Sequence, residues 1–150
     1  MLNYKKKSIA AVTLVEILVV IGVMAATIGM SAVFIKYQQP NIQLYAASHS
    51  LRSRLQKARQ ITLTEQIQHG IQFDTQDKSY LLIDTSGPTI VETFTLPPNI
   101  DFGAITQFTN NQVNFNSAGV ASQAGYITIE NSRGDQKTIT INPSGYLEIE

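Results

Sequence analysis

The sequence predicts an α+β fold: a long N-terminal helix, a membrane span followed by an amphipathic half, packed on an antiparallel β-sheet head. Three observations carry that expectation. Residues 8–35 form a stretch of 28 residues whose only charge is Glu16. Beyond Pro40, apolar or small residues recur at helical spacing to about Glu65. From His69 onward the pattern changes to short β-branched and aromatic runs, punctuated by glycine, proline, Asn and Asp.

The apolar stretch is long enough to cross a bilayer, which takes about 20 residues as a helix. Lys5, Lys6 and Lys7 flank its start. Such a basic flank keeps its own end cytoplasmic and sends the rest outward. A cleaved secretory signal is the plainer alternative, but its apolar core usually runs only about 7–15 residues. Glu16 discriminates further. A carboxylate near the middle of such a helix costs roughly 2.5–3.5 kcal/mol on insertion scales, so its presence implies a cationic partner. The stretch itself offers none.

Pro40 is expected to interrupt the helix, because proline removes a backbone hydrogen bond and crowds the preceding turn. Gly22 and Gly29 are weak points that also suit close helix packing. Past the proline, Leu44, Ala47, Leu51, Leu55, Ala58 and Thr62 are spaced 3, 4, 4, 3 and 4, which is one face of an amphipathic helix. Joined to the span, it makes a helix of about 55 residues, or about 80 Å. A small domain covers only part of such a rod. The rest needs lipid or other copies.

Seven strands are expected: His69–Asp74, Tyr80–Asp84, Thr89–Leu96, Gln112–Asn116, Gly125–Glu130, Lys137–Ile141 and Tyr146–Ile149. Turn chemistry separates them at residues 74–78, 86–88, 97–99, 117–119, 131–135 and 142–145. The clearest hairpin pairs Tyr126–Ile129 with Thr138–Ile141.

Charge and composition exclude several functions. Charged residues are 15% of the chain, and the formal net charge is zero. From Glu65 onward ten acids face Lys78, Arg133 and Lys137, a balance that disfavours nucleic acid. Arg52, Arg54, Lys57 and Arg59 do cluster, but around a helix rather than in a groove; if the cluster has a partner, the acidic heads of other copies are the expected one, and direct nucleic-acid binding is not expected. With no cysteine, disulfide and thiolate chemistry are closed. Nothing places a serine and a carboxylate together beside His49 or His69 by spacing, so no enzyme is expected. Asp74, Asp77 and Asp84 lack the spacing of a calcium loop, and no metal or cofactor is expected. Arg133-Gly134-Asp135 reads as a hairpin turn.

Lys5-Lys6-Lys7 followed by Ala11-Val12-Thr13-Leu14-Val15-Glu16-Ile17-Leu18 resembles the signal of type IV prepilins. That resemblance implies cleavage between Ala11 and Val12 and N-methylation of Val12 by one prepilin peptidase/methyltransferase. The family's glutamate, fifth after the cut, falls on Glu16. Ala11 stands where glycine is usual, and Val12 where phenylalanine is commonest. The head is similar to minor pilins and pseudopilins of the FimT and GspH kind in Leu51–Gln60, Val113–Gly119, Ile127–Ile129 and Ile141–Leu147. The implied organisation is a leader (1–11), a transmembrane assembly helix (12–39), and an amphipathic helix with β-rich head (40–150). The implied role is a structural subunit, minor rather than major, of a type IV pilus, competence filament or type II secretion pseudopilus. Its implied partners are other pilin subunits and an inner-membrane assembly platform. It begins as a single-pass inner-membrane protein with the head outside, and ends in an extracellular or periplasmic filament. The alternative is an uncleaved, membrane-anchored binding module.

Overall fold

The computed structural model describes residues 12–87 and 89–150, apart from the side chains of residues 31–33. Contacts divide the chain into two units, Met1–Tyr37 and Gln38–Glu150. The helix α1 (Leu14–Glu65) supplies residues to both.

In the first unit, α1 opens on a capped turn. The Thr13 hydroxyl oxygen accepts from the Glu16 N–H at 3.2 Å, and the Thr13 carbonyl accepts from the Ile17 N–H at 3.3 Å. A threonine in this position satisfies one of the donors that every helix start leaves open. The cap corrects the expectation for Glu16. It lies in the first turn of α1, not near the middle of the apolar helix. There the positive end of the helix dipole favours a carboxylate. The sequence Thr-Leu-Val-Glu carries this signal as a capping-box spacing.

Pro40 gives the second correction, because α1 runs through it to Glu65. Its missing N–H and its ring cost about 3 kcal/mol in a helix interior. Burial just beyond it supplies the offset. Leu44, Ala47 and Leu51 are all buried, and each fully buried leucine contributes about 1.5–3 kcal/mol.

The second unit holds eight strands: β1 (His69–Asp74), β2 (Ser79–Asp84), β3 (Thr89–Thr95), β4 (Ile100–Thr106), β5 (Gln112–Phe115), β6 (Gly125–Asn131), β7 (Gln136–Ile141) and β8 (Leu147–Ile149). They form two antiparallel sheets, ordered β3-β2-β1-β5 and β4-β6-β7-β8. The expected hairpin is present with Tyr126 opposite Thr140 and Thr128 opposite Thr138. The strand β4 was not expected. Its Asp101 and Gly103 are poor strand formers, and its register against β6 shifts between Phe102 and Ile105, so Gly103 and Ala104 oppose Thr128 alone. Such a bulge breaks the alternation by which a strand is recognised.

One hydrophobic core joins the helix to both sheets. All six residues of the expected stripe, Leu44 through Thr62, are buried. They pack with Ile71, Phe73 and Leu82 of one sheet and Ile127, Ile129 and Ile139 of the other. Phe73 of β1 meets Phe102 of β4 edge-on with ring centres 5.8 Å apart. Thr62 completes the stripe without a polar cost. Its hydroxyl donates to the Ala58 carbonyl at 2.9 Å and accepts from the His69 N–H at 3.0 Å, tying the end of α1 to the start of β1.

Candidate functional site

The first unit presents a long run of exposed apolar side chains. Leu14, Val15, Ile17, Leu18, Val19, Val20, Ile21 and Val23 are all exposed, as are Met24, Ile28, Met30, Phe34 and Ile35. This stretch of α1 is long and apolar enough to cross a membrane. Its apolar side chains recur on all sides of the helix, which marks a rod surrounded by apolar material rather than one laid against a core. The polar hydroxyl of Thr27 bonds back to the Met24 carbonyl at 2.9 Å, so it burdens that surface little. Among the described residues before Lys36, Glu16 is the only charge. Val12 and Glu16 are both exposed and sit on either side of the Thr13 cap. Ala11 and the three lysines lie outside the described residues.

Three of the four members of the basic cluster on the second part of α1 have partners within their own head. Lys57 Nζ is 2.5 Å from a Glu92 carboxylate oxygen on β3, and Arg54 is 3.9 Å from the other. The Arg54 guanidinium also lies 4.1 Å over the Phe94 ring. Arg59 turns the other way: its Nε donates to the Gly119 carbonyl at 2.8 Å. That carbonyl is packed against the Gly145 turn so closely that a Cβ at Gly145 (φ +76°) would lie 2.2 Å from it. Arg52 differs from its neighbours, since its Nε is buried without a partner.

The remaining candidates resolve into turn chemistry. Asp74 accepts from the N–H groups of Gln76 and Asp77. Asp84 accepts from both the hydroxyl and the N–H of Ser86, at 2.6 and 2.8 Å. The hydroxyl bond first, and the backbone bond second, hold the Asp84 carboxyl below the usual aspartate value. Arg133, Gly134 and Asp135 occupy the β6–β7 turn. Buried Asn131 organises it, accepting from the N–H groups of Arg133 and Asp135 and donating to the Asp135 carboxylate. His69 is buried, with Nδ1 2.9 Å from the Ile67 carbonyl and Nε2 3.6 Å from the Glu65 carboxylate. His49 lies 4.3 Å from the Tyr45 ring. Among the described residues no three His, Asp or Glu side chains converge as a metal site.

The profile of a protein family described as Type II transport protein GspH matches residues 47–145. Among solved structures, the minor pseudopilin EpsH from the Type 2 Secretion System of Vibrio cholerae aligns with a TM-score of 0.61 at 12% identity, covering 72% of this chain and 96% of that one. The type IV minor pilin FimU of Pseudomonas aeruginosa PAO1 aligns with a TM-score of 0.62 at 16% identity, covering 76% and 92%. At such identities the likeness is one of fold. No curated protein matches the chain.

Proposed function

Since the chain belongs to the GspH family of type II transport proteins, we propose that it is a minor structural subunit of a pseudopilus or type IV pilus-like filament. The observation that carries this reading is the exposed apolar stretch of α1 with one acid, Glu16, in its first turn. An apolar surface of that extent requires cover. Lipid supplies it before assembly, and the helices of other subunits supply it in the filament.

The chemistry follows from the N-terminus. Cleavage between Ala11 and Val12 by a prepilin peptidase removes the lysine-bearing leader and leaves an ammonium on Val12, which the same enzyme methylates. Glu16 of one subunit then pairs with the Val12 terminus of its neighbour. In a medium of low dielectric that attraction is strong, and it offsets desolvation only when the two groups meet in good geometry. The pair therefore acts as a register: a subunit enters the filament where its acid finds a terminus. The Thr13 hydroxyl that accepts from the Glu16 N–H supports this reading, since it orders the turn that carries the acid. The role is structural rather than catalytic, with an inner-membrane platform driving assembly and the head displayed outside the membrane.

Mass spectrometry of the protein from its native envelope tests this. The expected mature chain begins at N-methyl-Val12. A chain that begins at Met1 and stays monomeric overturns the reading in favour of an anchored binding module.

A further inference from the structure

The second unit contains seven cations and ten acids. Five of the cations are engaged. Arg54 and Lys57 face Glu92, Arg59 holds the Gly119 carbonyl, Lys78 pairs with Asp101, and Arg133 is also engaged. The other two, Arg52 and Lys137, make no hydrogen bond or ion pair among the described residues. They line the same groove, of about 330 Å³, between α1 and β8. The Arg52 Nε is already stripped of water and unpaired there. A buried donor left open costs about 1–3 kcal/mol, more when charged.

The opposite wall supplies a second, independent feature. The strand β8 is the edge of its sheet, paired only with β7. Thr138 and Glu150 exchange both backbone bonds, at 3.1 and 2.9 Å. Hydrogen-bonded pairs alternate along an antiparallel ladder. The N–H and C=O of Leu147 and Ile149 therefore point away from β7, toward the free edge of the sheet, and both residues line the groove. Tyr45 and Tyr146, both more than half exposed, stand at its rim.

We propose that this groove receives an acidic, extended segment of a partner protein, added as a further strand beside β8, with its carboxylates on Arg52 and Lys137. Strand addition to a free edge draws affinity from backbone bonds and specificity from alternate side chains. Glu148 also lines the groove, and the two unpaired cations outnumber this one acid and set that specificity toward Asp and Glu. The inference uses no residue of the apolar stretch and stands whether or not the chain is cleaved.

The test uses the full chain in detergent micelles and a fluorescent, end-capped hexapeptide of alternating Val and Glu, read by anisotropy at low salt. The acidic peptide is expected to bind, and its Val/Lys counterpart is not. The pair of changes Arg52→Gln and Lys137→Gln should weaken binding about ten- to a hundredfold. N-methylation of alternate peptide amides, which leaves the protein untouched, should weaken it about tenfold by removing strand bonds. Absence of binding overturns the proposal, as does unchanged affinity in the double variant or for the methylated peptide. So does a single-stranded oligonucleotide that displaces the peptide from the same groove.

Discussion

The two parts of α1 obey different solvents although they belong to one helix. Between Leu14 and Ile35 the described side chains are exposed and almost wholly apolar. Between Leu44 and Thr62 a single stripe is buried, while Arg54, Lys57 and their neighbours face outward. The same backbone thus carries two hydrophobic programmes. The second spends its apolar area inside its own chain and yields stability. The first leaves its area unspent and is available for lipid or other subunits. Position of the apolar residues, rather than their number, separates a core helix from an assembly helix.

The largest expected effect tests that division directly. Leu55 is fully buried in the core, so Leu55→Ala should cost about 2–5 kcal/mol of head stability in urea unfolding. Leu18→Ala removes the same atoms from an exposed position and should leave the head's unfolding midpoint unchanged. Equal losses from the two changes would erase the distinction. A complementary test moves to assembly. Glu16→Ala should leave membrane insertion and cleavage intact while cutting incorporation into filaments about tenfold or more. Normal incorporation would remove the register argument.

Next in size comes Thr62, the one polar member of the buried stripe. Replacing it with Val keeps the shape but leaves the His69 N–H without its acceptor. The expected cost is about 1–3 kcal/mol, with faster hydrogen exchange at the start of β1. A neutral result would mean that the stripe is held by apolar packing alone. The salt-sensitive contribution is smaller. Glu92 serves both Arg54 and Lys57 at positions more than a third exposed, so Glu92→Gln should cost only about 0–1 kcal/mol, and less in high salt.

How far the sequence announces these features depends on whether their cause is local. The amphipathic stripe is legible because helical spacing writes burial directly into residue order, and Leu44 through Thr62 are buried as spaced. Seven strands and the β6–β7 hairpin are legible for the same reason. The strand β4 is not, since its bulge at Gly103 and Ala104 is fixed by pairing with β6, a segment distant in sequence. The continuity of α1 through Pro40 is likewise decided by packing beyond it. Among the cations, the cluster is visible in the sequence, whereas its division into engaged and unengaged members requires Glu92, Gly119 and β8 to be in place. The cap at Thr13 shows the converse case: its spacing is plain in the sequence, but an apolar run that begins earlier hides where the helix starts.

The smallest effect concerns pH and separates a turn from the core. Ser86 donates two hydrogen bonds to Asp84, and these bonds hold the carboxyl below its ordinary value. A carboxyl whose folded pKa is depressed binds its proton less readily in the native state than in the unfolded one. Its contribution to stability is therefore present above the unfolded value of about 3.9 and fades as pH falls through the lower folded value. Ser86→Ala removes the hydroxyl bond, the larger of the two causes, and should bring the folded value back toward the ordinary one. Wild type should then be slightly the more stable at neutral pH, with the difference vanishing in acid as Asp84 protonates in both. Because Asp84 is part-exposed at the end of β2, the difference belongs at the limit of detection by urea titration, while NMR titration of the carboxyl resolves it cleanly. A difference that grew as pH fell would carry the opposite sign, and would mean that the bonded form of Asp84 is the acid rather than the carboxylate.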